Sequence, residues 1–190
     1  MSRENKSQYA ILGILADAPR SGYEIKKLCD QFLSFFWNEN YGNIYPALKK
    51  MEAEGLVTME RMKQDGSPDK KVYTITEAGH TALKDWLRRP PDFRILREEL
   101  LLQIFFGQTI GAAPFREKIE RQKKWCQSII DRLNEVREYV ETEIAPERQE
   151  DNLPYWLATL RFGLRFYQME SDWCDEAQAI LLELAGNEND

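Results

Sequence analysis

The side chains best suited to chemistry are lysines and a tyrosine in the first half of the chain. Tyr45, Lys49 and Lys50 lie on the stretch from Tyr41 to Gly55, and further lysines follow it: Lys63, Lys70 and Lys71. Lysine ammonium groups attract phosphate oxygens, and a tyrosine hydroxyl donates or accepts a hydrogen bond. The pattern indicates contact with a phosphate-bearing partner. The plainer alternatives are a solvated helix face for the lysines and a core position for the tyrosine.

Catalytic and metal-binding groups are sparse in this sequence. Adjacent carboxylates such as Glu98 and Glu99 point about 100° apart on a helix and cannot flank a substrate. The sequence has neither a Gly-rich phosphate loop nor a Gly-x-Ser-x-Gly elbow. The single histidine, His80, and three widely spaced cysteines form no zinc ligand set. We therefore expect no enzyme, no metal site and no cofactor, and we expect the cysteines to be buried.

Charge divides the chain unevenly. Residues 1–90 hold 14 Lys and Arg against 12 Asp and Glu, whereas residues 91–190 hold 12 against 20, which accounts for the net charge of −6. An acidic protein can still bind nucleic acid if its basic groups gather on one face. Pro90-Pro91 is the best candidate boundary, giving domains 1–90 and 91–190. No apolar run approaches the ~20 residues that span a bilayer, and the N-terminus lacks a signal-peptide pattern, so we expect a cytoplasmic protein without membrane contact.

The elements that must position these lysines are predicted from periodicity. A buried helix over residues 7–18 is followed by a helix capped by Ser21 and Glu24. The central stretch is predicted to be a third helix, apolar at Ile44, Leu48 and Met51 and ended by Gly55. Short strands at 56–61 and 71–75 then predict a hairpin around a basic turn, and Thr76-Glu77 begins another helix. Three helices followed by a hairpin is the order of a winged helix-turn-helix, whose third helix enters the major groove.

The second half is predicted to be helical nearly throughout, with helices at about 97–107, 114–144 and from Pro154 onward. The last helix is predicted to have an inner apolar line that ends at Leu184. Apolar residues recur every seven positions from Ile119 to Val140, which is typical of a helix seam. The predicted fold is mainly α with a small β-hairpin: an N-terminal winged helix-turn-helix and a C-terminal antiparallel helical dimerisation domain. The residues predicted at the dimer interface are Ile119, Cys126, Ile129, Leu133, Val136, Leu157, Leu160, Leu164 and Tyr167.

Three segments, SGYEIKKL, GNIYPALKKMEAEGLV and DGSPDKKVYTITEAGHTALKDWL, resemble the PadR family of bacterial transcriptional regulators in order and spacing over residues 8–90. One departure is the hairpin tip, which is often Gly-Arg-Pro-Arg in that family and is Gly66-Ser67-Pro68-Asp69 here. Asp69 brings a negative charge, so we expect phosphate contact either to be weaker or to shift to Lys70 and Lys71. The resemblance implies these DNA-binding residues: Ser21, Tyr23, Tyr41, Asn43, Tyr45, Pro46, Lys49, Lys50, Lys63, Lys70 and Lys71.

The resemblance also implies a function. It implies a homodimer that binds an inverted-repeat operator in double-stranded DNA, usually as a repressor. It also implies that a small aromatic or phenolic ligand releases this dimer from the DNA. The aromatic residues Trp125, Trp156, Phe166 and Trp173 are candidates for the effector site, with core or dimer interface as the alternative. The alternative function is a winged-helix module that binds protein and not DNA. The lysines of the third helix favour the regulator, and a gel shift would separate the two.

Overall fold

Four helices and a small sheet are built from the first half of the chain. A computed structural model of the protein describes residues 6–37, 44–64, 67–92, 96–144 and 152–187. The elements are α1 (Ser7–Asp17), β1 (Arg20–Ser21), α2 (Gly22–Leu28), α3 (Ile44–Ala53), β2 (Val57–Gln64), β3 (Ser67–Ile75) and α4 (Glu77–Arg88). Helix α2 continues into a π-helical turn, Cys29–Leu33.

Local sequence accounts for where these helices begin and end. Helix α2 begins with a capping box, in which the Ser21 hydroxyl accepts from the Glu24 N–H and the Glu24 carboxylate accepts from the Ser21 N–H. Helix α3 is followed two residues after its end by Gly55, whose φ of 71° favours glycine. The Leu56 N–H donates to the Met51 carbonyl there, which satisfies a carbonyl that the last turn leaves unpaired.

The sheet is antiparallel, with strand order β1-β3-β2. In the β2–β3 register, Val57 lies opposite Ile75 and Met59 opposite Tyr73. Because strand side chains alternate between faces, these four lie on one face. They pack on the hydrophobic core of the first half of the chain, whose buried members include Ile11, Leu12, Leu15, Ile25, Cys29, Ile44, Leu48 and Met51.

Three further helices form the second half: α5 (Glu99–Phe105), α6 (Ala113–Tyr139) and α7 (Leu153–Asn187). A short 3-10 helix, Gly107–Thr109, follows α5, and a π-helical turn, Val140–Ile144, extends α6. Helices α6 and α7 run antiparallel, since Glu120 bonds to Gln178 and Lys123 to Asp175. The seven-residue repeat forms their buried seam: Ile119, Cys126, Leu133 and Val140.

The predicted fold class is confirmed, and three details of the sequence prediction are wrong. Strand β1 was not predicted, because two residues are too short to carry a strand pattern. Strands β2 and β3 extend through residues 62–64 and 67–70, which were assigned to the turn. Leu184, predicted on the inner line of the last helix, is exposed. The contacts divide the chain into two units, Met1–Phe93 and Arg94–Asp190.

The nine predicted dimer-interface residues are all buried or partly buried within one chain. Six of them are buried: Ile119, Cys126, Leu133, Val136, Leu160 and Tyr167. Side chains already covered by their own chain offer little surface to a second copy. Their role between two chains stays a prediction, and other apolar side chains of the second half are exposed, among them Phe105 on α5 and Phe162 on α7. Across the described ranges, no helix is both long and apolar enough to cross a membrane.

Candidate nucleic-acid interface

Helix α3 separates a buried face from an exposed one. Ile44, Leu48 and Met51 are buried in the core. Tyr45 on the other side is 59% exposed, and Pro46, Lys49 and Lys50 are exposed beside it. Apolar burial on one side therefore fixes the helix and directs the tyrosine and both lysines to solvent. Lys50 Nζ lies 3.6 Å from a carboxylate oxygen of Glu54, which follows it by four residues, so the two form a long ion pair.

The hairpin carries basic side chains beyond its apolar base. On the face that begins with Met59 and Tyr73, the next cross-strand pair is Arg61 opposite Lys71. Lys63 follows on β2, where the pairing of the two strands becomes irregular. All three are exposed. Like charges directly opposite one another on adjacent strands repel, so an anion beside them would stabilise the pair. Arg61 was missed from the sequence, although its two-residue spacing from Met59 and Lys63 would have placed it on this face.

Ser21 and Lys70 are already engaged within the protein. Lys70 Nζ lies 2.9 Å from Glu24 Oε1, and the Ser21 hydroxyl donates to Glu24 Oε2 at 2.7 Å. The hydrogen bonds from Ser21, followed by that from Lys70, lower the pKa of Glu24 to about 2. This Glu24 link connects the start of α2 to strand β3. DNA contacts by Ser21 and Lys70 stay predictions, and in this arrangement both side chains serve the link.

Tyr45 lies against the first residue of α2. A methyl group placed on Gly22 would stand 2.7 Å from Tyr45 Cε1, so the tyrosine ring passes directly over the glycine. Tyr45 is also close enough to Tyr73 to contribute to its raised pKa, for which burial is the main cause and the Glu52 carboxylate the next. Tyr23 is exposed. Tyr41 and Asn43 lie outside the described residues.

The effector candidates do not form one group. The Trp125 ring meets Tyr167 edge-on at 5.4 Å between ring centroids, and Tyr167 meets Phe166 edge-on at 5.3 Å. Trp173 instead packs on the cluster that contains Phe115 and Ile119. Trp156 is partly exposed. A shallow cavity of about 550 Å³ lies elsewhere, in the first unit, and its lining includes Tyr9, Ala82 and Arg89.

The exposed side chains described above are cationic or carry a hydroxyl group, which suits contact with an anionic partner. Within the described part of the chain, no three His, Cys, Asp or Glu side chains lie close enough to hold a metal ion. Burial raises the pKa of the Cys126 thiol to about 12, with the Glu170 carboxylate as a further cause. A thiol in that state is a poor nucleophile, since the thiolate is the reactive form. The exposed faces of α3 and of the hairpin together carry tyrosine, lysine and arginine.

Comparison with known proteins gives two consecutive family matches. Residues 11–85 match the model described as "Transcriptional regulator PadR-like family", and residues 96–181 match "Virulence activator alpha C-term". The negative transcriptional regulator PadR of Bacillus subtilis is 38% identical over 100 residues, which are 52% of this chain and 55% of that protein. The aligned stretches span about half the length of the curated relatives they match.

Solved structures resemble the chain over nearly its full length. The protein smu.1604c of Streptococcus mutans has a TM-score of 0.79 at 32% identity, covering 90% of this chain and 98% of that one. Bacillus subtilis PadR in complex with operator DNA has a TM-score of 0.80 at 26% identity, covering 94% and 99%. The same protein in complex with p-coumaric acid has a TM-score of 0.71 at 27% identity, covering 92% and 97%.

Proposed function

Because this chain belongs to the PadR-like family of transcriptional regulators, we propose that it is a homodimer that binds an inverted-repeat operator and represses transcription. In this proposal, α3 lies in the major groove and the hairpin meets the adjacent backbone. The observation that carries the proposal is the exposed face of α3, where Tyr45, Lys49 and Lys50 stand opposite a fully buried face. A tyrosine hydroxyl can contact a base edge, whereas lysines mainly bind phosphates.

The strand pair supports a second point of contact. Arg61 and Lys71 are opposed on neighbouring strands, and Lys63 is exposed two residues further along β2. None of the three forms an ion pair with another described residue. Phosphate oxygens would relieve the repulsion between the first two and release counterions from the DNA. Asp69, which is exposed near the tip, opposes that contact and places the phosphate site closer to the Arg61–Lys71 pair.

The homodimer is supported by apolar surface in the second unit. Leu102, Phe105, Phe106 and Ile110 are exposed on α5 and just after it. Exposed apolar side chains clustered in this way are typical of an interaction surface. A dimer would present two α3 helices, and reading successive major grooves requires them to lie about 34 Å apart. Any change in how the two chains pack would alter that spacing.

We further propose that a small phenolic or other aromatic compound releases the operator. The complex of Bacillus subtilis PadR with p-coumaric acid is one support, and the aromatic side chains of α6 and α7 are another. Such a ligand acts only through its different affinities for the two arrangements of the dimer. Allosteric couplings are typically ~1–3 kcal/mol, which corresponds to roughly 5- to 150-fold in operator affinity.

The experiment begins with selection from a random-sequence pool of DNA duplexes by the full-length protein. An enriched palindromic duplex is the expected result, and its affinity is then measured against a scrambled duplex at several salt concentrations. Tyr45→Ala should weaken binding to the selected duplex by about 1–3 kcal/mol and leave the scrambled duplex nearly unchanged. Lys71→Ala should weaken binding to both and lower the salt slope by about 0.9.

The outcomes separate this function from the alternative. If no duplex is enriched, the chain is not a DNA-binding regulator, and the winged-helix protein-interaction module takes its place. If Tyr45→Ala weakens both duplexes equally, α3 is not the reading helix. Adding p-coumaric acid to the selected complex should release DNA, and an unchanged affinity across a panel of phenolic acids would exclude control by this class of ligand.

A further inference from the structure

Gly22 is a buried glycine whose presence is not explained by its backbone. Among the described glycines, a positive φ is found only at Gly55 and Gly111, so other residues could adopt the conformation of Gly22. Glycine is less favourable than alanine in a helix, because it loses more backbone freedom on folding. The position therefore bears a conformational cost without a conformational reason.

The reason lies in the space above it. A Cβ on Gly22 would be 2.7 Å from Tyr45 Cε1, 3.2 Å from Cδ1 and 3.3 Å from Cζ. These are three atoms of one ring, so the ring passes directly over the glycine. A contact of 2.7 Å is shorter than carbon atoms tolerate, so either the backbone at Gly22 or the ring would have to move.

The backbone is the less able of the two to move. The residue before Gly22 is held by the capping box of α2 and by pairing of Ser21 with Val72 in the sheet. Glu24, two residues later, is held by both Ser21 and Lys70. Tyr45 is 59% exposed and can rotate toward solvent. An added methyl group at position 22 would therefore displace the ring and leave the fold intact.

We propose that Gly22 is a positioning residue for DNA recognition. It leaves room for the Tyr45 ring to pack against the start of α2, and this seat for the ring fixes the direction of the Tyr45 hydroxyl. This inference rests on the proposed function. It extends the reading surface to a residue that makes no DNA contact itself. The benefit of the seat is preorganisation, because a tyrosine held in one direction loses less side-chain freedom on binding.

The test is a double-mutant cycle on full-length protein with Gly22→Ala, Tyr45→Ala and both together. Gly13→Ala is the matched control, since a methyl group there meets nothing within 4 Å. Gly22→Ala should weaken binding to the selected duplex about 5-fold or more, leave the scrambled duplex unchanged, and have no further effect once Tyr45 is alanine. Its thermal midpoint should stay within a few degrees of the wild type.

A second measurement does not depend on DNA. With 3-fluorotyrosine incorporated, the ¹⁹F resonance that disappears in Tyr45→Phe should shift in Gly22→Ala and stay in place in Gly13→Ala. If Gly22→Ala fails to fold, the backbone and not the ring has yielded, and the inference is overturned.

The remaining outcomes distinguish the inference from the function beneath it. If Tyr45→Ala weakens the selected duplex but Gly22→Ala does not, the seat has no role in recognition although α3 still reads DNA. If Tyr45→Ala spares the selected duplex, the reading role proposed for α3 fails first and the inference fails with it. Additive losses from Gly22→Ala and Tyr45→Ala would show two independent effects and overturn the seat.

Discussion

Replacing Glu24 by glutamine should loosen the hairpin's attachment to α2 without removing the helix cap. Glutamine can take the place of glutamate in a capping box, so Ser21 keeps its partner. The negative charge opposite Lys70 is lost, and with it the charged part of the 2.9 Å contact between Glu24 and Lys70, which links β3 to α2. Glu24→Gln therefore isolates the charged contribution of one contact between two elements.

The magnitude follows from the Glu24 pKa, which lies at about 2 instead of 4.5, chiefly because of hydrogen bonds from Ser21 and then from Lys70. A depression of about 2.5 pKa units corresponds to about 3 kcal/mol. The Glu24 side chain is 42% exposed and the Lys70 side chain is 35% exposed, so water screens much of this electrostatic free energy. Exposed pairs typically contribute ~0.2–1 kcal/mol, and we expect a loss of about 1 kcal/mol at pH 7.

The direction of the pKa change determines how the contribution of Glu24 to stability varies with pH. A carboxyl group whose pKa is lowered by folding stabilises the folded state fully above its ordinary pKa of 4.5 and loses that contribution as the pH falls toward 2. The difference between wild type and Glu24→Gln should therefore be largest at pH 7. More than half of it should be gone by pH 3.

The assay is hydrogen exchange with mass spectrometry on peptides covering residues 20–28 and 67–75, corrected for intrinsic rates at each pH. The matched control is Asp30→Asn, which removes the exposed Lys26–Asp30 pair at the end of the same helix and should change protection of β3 little. Equal protection of wild type and Glu24→Gln at pH 7 would refute the link. A difference that persists unchanged at pH 3 would show that ionisation is not its cause.

Three further predictions concern stability and assembly. Gly79→Ala should lower the free energy of unfolding by ~1–3 kcal/mol in urea titrations, because the new methyl group would overlap the Leu56 carbonyl oxygen and lie 2.7 Å from Ile75; an unchanged midpoint would show that α4 can move away. Thr76→Ala should cost about 1 kcal/mol in the same titration, since its hydroxyl caps α4 by accepting from the Gly79 N–H at 3.1 Å. Phe105→Asp should shift the protein toward monomer in sedimentation velocity with unchanged circular dichroism, because this side chain is 80% exposed on α5; a dimer of undiminished affinity would place the interface elsewhere.

The sequence by itself determined the helices of the first unit and the family. A capping box needs a serine and a glutamate three residues apart, so the start of α2 was predictable from Ser21 and Glu24. The end of α3 was predictable because glycine favours the positive φ found at Gly55. These signals act within a few residues, and a linear pattern contains them. The same is true of the apolar periodicity that buries Ile44, Leu48 and Met51.

The tertiary structure decided which side chains meet across the chain. The sequence predicts that Lys70 contacts a phosphate. In the structure Lys70 Nζ lies 2.9 Å from Oε1 of Glu24, which is 46 residues earlier in the chain. Arg61 gained its neighbour Lys71 only from the register of the hairpin, which side-chain pattern alone does not fix along an exposed, polar pair of strands. The seven-residue repeat predicts an apolar seam at the dimer interface, although the same stripe can bury against α7 or against another chain. Packing within one chain settled that the seam residues from Ile119 to Val140 face α7.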